Sequence, residues 1–225
     1  MSRKYFYYSL PLLIFSNLMP IYGVVHYGWT LFSVIYLYWL ELLFITFFDA
    51  LKIWMAQGKP MPTSTKIFIG IKFILARIGI FCFYLIFLIT FIGVLMSAKE
   101  SRTDEMIQMV QALTLKGTFY KITALSFFAN GLYNFYVSYY LPQKYKTQDA
   151  DATYSFLDIH ILVVHVSVVL IVFLHKGLTE KLHLEHQTSI ILCTCLFVFI
   201  KVFAESIKSY SADKSLDEKQ RDIYI

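Results

Sequence analysis

Charge is scarce in this chain. Only 16% of its 225 residues are Asp, Glu, Lys or Arg, against 58% hydrophobic residues, which excludes a disordered chain and departs from the balance of soluble domains. Nine glycines and five prolines exclude collagen-like and low-complexity architectures. The three cysteines, Cys82, Cys193 and Cys195, all fall inside apolar runs, where an odd number excludes a disulfide framework. Cys193 and Cys195 stand two apart and point to different sides of a helix, so they are poorly placed to share a metal. Enzyme motifs are missing as well. There is no Gly-x-Ser-x-Gly, no His-Glu-x-x-His and no phosphate-cradling glycine loop. An intramembrane serine protease needs a serine and a histidine at one depth; Ser126 and His165 come close, but no glycine-flanked serine accompanies them. The leading reading is therefore non-enzymatic, with no cofactor implied.

What remains is hydrophobic and long. Mean hydropathy is +0.60, and six stretches approach the roughly 20 apolar residues that cross a ~30 Å hydrocarbon core. They run about 5–25, 31–53, 66–96, 118–141, 156–174 and 188–207. The fold class expected is all-α, a single integral membrane domain over 1–225 with about six transmembrane helices, and its partner is the lipid bilayer. Met1-Ser2-Arg3-Lys4 and the run after it resemble a signal peptide, but no small-x-small cleavage site follows. The first stretch therefore reads as an uncleaved helix, bent at Pro20, with Pro11 a second candidate for a bend. The net charge of +5 does not point to nucleic acid, because the basic residues lie mostly between the spans and report topology.

With the N-terminus cytoplasmic, the inner segments hold Arg3, Lys4, Lys52, Lys59, Lys66, Lys144, Lys146, Lys208, Lys214, Lys219 and Arg221. The outer loops hold only Lys99, Arg102, Lys116, Lys176 and Lys181. Both termini are thus expected in the cytoplasm, in a plasma membrane. Between the third and fourth spans, Met106, Met109, Val110 and Leu113 recur at helical spacing among polar residues. This predicts an extracytoplasmic amphipathic helix starting near Ser101 or Thr103 and stopped by Gly117.

Polar residues inside the spans are the candidates for function, since an intramembrane charge is costly and faces a bundle interior or a pathway. Glu41 lies about 17 Å from the inner end of the second span, and Arg77 about 16 Å from the same surface on the third. Matching depth across an antiparallel hairpin predicts a Glu41–Arg77 pair. Asp49 falls near the inner surface with Lys72 able to reach it, and Asn17, Asn130 and His165 come out near mid-depth. Asp158 is seven residues before His165 and shares its face. Lys201, Glu205 and Lys208 read as an interfacial salt-bridge ladder. His175, His183 and His186 gather near the outer surface, with a spacing too weak to assign a metal site. The buried charges fit a small transporter or proton-coupled carrier, a structural or accessory subunit whose charges fix helix packing, or a membrane metalloenzyme, in that order.

Asn17-x-x-Pro20, Gly28-Trp29 and Tyr38-Trp39-Leu40-Glu41 resemble the opening hairpin of an uncharacterised family of polytopic prokaryotic membrane proteins, catalogued as a domain of unknown function. The likeness is clearest over about residues 14–55. Leu42 stands where the family has an asparagine, and Arg77 where it has a histidine; His165, within Val163-Val164-His165, matches. The resemblance implies the fold and the importance of Glu41, and no activity. The topology is testable directly. Reporter fusions after Gly117 and after Tyr210 are expected to report opposite sides of the membrane, and a common side would overturn the arrangement.

Overall fold

The computed structural model describes residues 3–95, 107, 110–150 and 159–221. Among these the chain is helical without a strand: α1 (Arg3–Tyr27), α2 (Leu31–Met55), α3 (Thr63–Leu95), α4 (Thr118–Phe135), α5 (Ile159–Glu180) and α6 (His186–Arg221). Each apolar stretch of the sequence corresponds to one helix. α1 continues through both Pro11 and Pro20. α4 runs directly into a π-helical turn, Tyr136–Tyr140, in which Leu141 N donates to Tyr136 O at 2.8 Å.

Among the described residues, four helices contain segments long and apolar enough to cross a membrane: Leu10–Tyr27, Leu31–Met55, Thr63–Phe87 and His186–Ile207. The outer surface agrees with their composition. Phe68, Phe83, Ile86, Leu125 and Phe199 are between 65% and 76% exposed, while Asn17, Glu41, Arg77 and Lys201 are buried. Such a surface is costly in water and compatible with lipid.

α2 is the central helix. Two thirds of its apolar segment is buried, against about a third for the other three. It packs on α3 and α4, α1 packs on α4 and α6, and α5 packs on α6. The sharp turn from α1 to α2 uses Gly28, at φ +62°, a conformation that favours glycine. Thr30 then caps α2, its hydroxyl accepting from Ser33 N at 3.4 Å. Trp29 folds back between the helices, its ring stacked on Tyr120 at 4.2 Å and pressed against Gly23. Tyr120 in turn donates to Ser33 Oγ at 3.0 Å. At the opposite end of the bundle, the α2–α3 loop docks on the segment after α4. Gln57 N donates to Tyr145 O at 2.7 Å, Gly58 N to Gln148 O at 2.9 Å, and Lys59 pairs with Asp149 at 3.1 Å.

The amphipathic helix lies only partly within the described residues. Residues 110–113 are helical, while Ser101, Thr103 and Met106 lie outside. Its stop is not at Gly117. The chain leaves the helix at Leu115, at φ +48°, with Lys116 N donating back to Gln111 O at 2.7 Å, a closure that satisfies carbonyls left open at a helix end. Gly117 instead precedes the first residue of α4.

Two glycines in this frame should respond oppositely to alanine. At Gly23 a Cβ would come within 2.3 Å of the Trp29 ring, which Tyr120 holds in place, whereas at Gly79 on α3 nothing lies within 4 Å. Gly23→Ala is expected to cost about 1–3 kcal/mol. Gly79→Ala should gain roughly 0.5–1 kcal/mol from helix propensity. Denaturation in detergent measures both, and equal effects would contradict the packing around Trp29.

Candidate functional site

The charges converge on Lys201. An ammonium has three protons and no acceptor, and each proton of Lys201 finds an oxygen on a different residue. Asn17 Oδ1 on α1 lies at 3.0 Å, Glu41 Oε1 on α2 at 2.9 Å, and Glu205 Oε1, one turn along α6, at 2.9 Å. Lys201 and Glu41 are each 3% exposed. The ammonium also lies 5.1 Å from the centre of the Tyr38 ring and 5.8 Å from that of Phe127, where ring faces favour a cation. Asn17 is held for its part by a bond from Nδ2 to Leu13 O at 2.9 Å. Nζ lies 2.9 Å from Glu41 Oε2 as well, so the ammonium faces both oxygens of this carboxylate.

Glu41 therefore pairs with Lys201 and not with Arg77. The partner of Arg77 is Asp49, with Nη1 to Oδ2 at 3.0 Å, and Lys52 Nζ holds the other oxygen at 2.8 Å. Depth alone misleads here for two reasons. The first is azimuth. Trp39 faces α3, where its Nε1 donates to Phe81 O at 2.9 Å; Glu41, two residues on, points about 200° round the helix, away from α3. The second is register. Trp39 against Phe81, Trp54 against Gly70 and Lys66 against Ala56 O place Arg77 about one turn nearer the C-terminal end of α2 than Glu41. Lys72, expected beside Asp49, is exposed instead.

Both clusters border one cavity of about 150 Å³, partly open. Glu41, Asp49 and Lys52 line it from α2, Asn130 and Asn134 from α4, and Glu205 from α6. Rings of Phe48, Phe127 and Phe135 form apolar parts of the wall, and Ser138 brings in the π-helical turn. Such turns recur at functional sites because the widened helix redirects side chains. Asn134 Nδ2 donates to Asn130 Oδ1 at 3.3 Å. Gly131 lets Phe48 approach α4, since a Cβ there would come within 2.7 Å of that ring.

Of the expected residues, Asn17, Glu41 and Asn130 thus gather at or beside the cavity, and Arg77 lies behind it on Asp49. His165 is elsewhere. Its Nδ1 engages Ile161 O of its own helix at 2.6 Å and its ring lies 3.7 Å from that of Tyr84. Asp158 lies outside the described residues. Ser126 donates to Thr123 O at 2.7 Å, so it and His165 are both engaged within their own helices. The close serine–histidine contact is Ser189 Oγ to His175 Nδ1 at 2.8 Å, buried between α5 and α6. Among the described residues, no three His, Cys, Asp or Glu side chains converge to hold a metal ion. Sequence reading missed Lys201 and Glu205 as site residues. Their signal was present in the i, i+4 spacing, which puts them on one face of the helix.

Double-mutant cycles separate these pairings. Lys201→Met leaves Glu41 and Glu205 without their shared cation and should cost about 3–5 kcal/mol. Glu41→Gln, which leaves Lys201 with Glu205 and Asn17, should cost less. These two substitutions are expected to couple by about 0.5–3 kcal/mol, whereas Glu41→Gln and Arg77→Met should add within about 0.5 kcal/mol. Strong coupling of Glu41 to Arg77 would contradict the geometry.

No curated protein and no solved structure matches the chain. A family model does match, over residues 1–222 and hence almost the whole length. The hairpin motifs that resemble an uncharacterised family thus stand within a full-length match, and the chain belongs to DUF6498, a family of unknown function.

Proposed function

We propose that this is a multi-pass plasma-membrane protein of six spans, α1 to α6, with both termini in the cytoplasm, and that its cavity is the solute site of a small secondary carrier coupled through Glu41. The cavity carries the reading. It borders α2 from Glu41 to Lys52, from mid-helix towards the C-terminal end, which the lysine and arginine distribution assigns to the cytoplasmic side. At its deep end stands the Glu41 carboxylate, ion-paired with Lys201 and lining the cavity, a group able to exchange a proton or take a donor from a solute. Intramembrane carboxylates that face a polar cavity mark substrate and proton pathways.

A second reading has its own support. The three protons of Lys201 are all matched by oxygens on α1, α2 and α6, as expected of an accessory subunit whose charges only hold helices together. Access distinguishes the two without knowledge of the solute. In a background with Cys82, Cys193 and Cys195 replaced by serine, Asn130→Cys places one thiol on the cavity wall. A carrier alternates its access, so a membrane-impermeant maleimide should label this thiol both in inside-out vesicles and in intact cells. Labelling in the vesicles alone identifies a static vestibule and the accessory reading; labelling from neither face overturns the carrier equally.

A further inference from the structure

Lys72 lies within the apolar segment Thr63–Phe87 of α3, on the side turned away from the bundle. Around it on the helix surface, Phe68, Ile71 and Leu75 are 67%, 46% and 64% exposed. α3 packs on α2, and less than a third of its apolar segment is buried. The carboxylate expected for Lys72 is taken, because Asp49 pairs with Lys52 and Arg77. Arg77, five residues on, points about 140° round the helix from Lys72. Among the described residues, no ion pair includes Lys72. An ammonium on an apolar outer face is costly in hydrocarbon unless its surroundings supply a counter-ion.

Depth identifies that counter-ion. Lys66 Nζ donates to Ala56 O at 2.6 Å, which sets Lys66 level with the C-terminal end of α2. Lys72 is six residues further, about 9 Å deeper along the helix, and its flexible stem can carry the ammonium back towards the headgroups. Thr65, seven residues before Lys72 and on the same face, is also exposed and offers a hydroxyl there. Resting on the reading of α3 as a span that starts at the cytoplasmic side, we propose that this face holds an anionic phospholipid of the inner leaflet. Its phosphate meets Lys72, and its acyl chains lie along Phe68, Ile71 and Leu75. A zwitterionic headgroup brings its own cation beside the phosphate, whereas phosphatidylglycerol brings an uncompensated charge. The cytoplasmic leaflet is also where anionic lipids set a negative surface potential.

Native mass spectrometry of the full-length protein in detergent, titrated with phosphatidylglycerol or with phosphatidylcholine of the same chains, tests this assignment. Phosphatidylglycerol should bind about fivefold more tightly, the worth of one basic residue at an anionic surface. Lys72→Gln should remove that preference and leave phosphatidylcholine binding as it was, which also shows that the variant is folded; Lys72→Arg should retain it. Lys146→Gln, at an exposed lysine after α4, should retain it too. Glycerol 3-phosphate, which has the phosphate without the chains, should bind about tenfold more weakly or less. Equal binding of the two lipids by the unaltered protein would overturn the assignment. So would a preference that survives Lys72→Gln or is lost equally in Lys146→Gln, which would mark diffuse surface charge. Glycerol 3-phosphate binding as tightly as the lipid would identify a soluble anion instead. The reading of the span fails separately. A preference that depends on Lys72, with the reporter fusions after Gly117 and Tyr210 on one side, retains the lipid site and removes its leaflet.

Discussion

The ammonium of Lys201 ties three helices at one point. Buried away from water, a lysine needs an acceptor for every proton. Asn17, Glu41 and Glu205 supply them from α1, α2 and α6. The packing of α1 against α6 brings these groups together, and the buried position of α2 completes the set. Apolar side chains pack non-directionally and tolerate rotation of one helix against another. A three-acceptor ammonium tolerates little, so this contact fixes azimuth and depth together.

That contact also borders a cavity where polar groups and space coincide. The Lys201 and Asp49 clusters are each internally paired, yet both present carboxylate to the cavity. Glu41 therefore both ties helices together and lines the cavity. The π-helical turn after α4 fits the same economy, since the extra residue in the turn shifts Ser138 relative to the α-helical residues above it.

The aromatic residues divide the work by position. Trp29 and Tyr120 stack at the α1–α2 turn and need glycine beneath them. Tyr38, Phe127 and Phe197 meet around the buried ammonium, with the Tyr38 ring 5.3 Å from Phe127 and 4.5 Å from Phe197. Large exposed Phe side chains on α3 and α6 face outward. Aromatic rings thus serve as turn lock, cation wall and apolar outer surface.

Much of this was legible in one dimension. Apolar runs of bilayer length marked where helices α1 to α6 lie, because burial in lipid demands continuous hydrophobicity along the chain. The rarity of charge within those runs singled out Glu41, Asn17 and Asn130. Distance along a helix can also be counted, which gave depth for Glu41 and Arg77. Partner choice was beyond that arithmetic. Depth does not fix the side of the helix a residue faces, and the face of Glu41 depends on Trp39 having turned the other way to bond Phe81 O. Lys201 looked interfacial because its helix seemed to end near Ile207, whereas α6 extends to Arg221. By itself the sequence determined the helices, their apolar surface and which residues were costly to bury. Tertiary structure decided how those charges were paired and where space was left beside them, because pairing depends on rotation and register between helices distant in the chain.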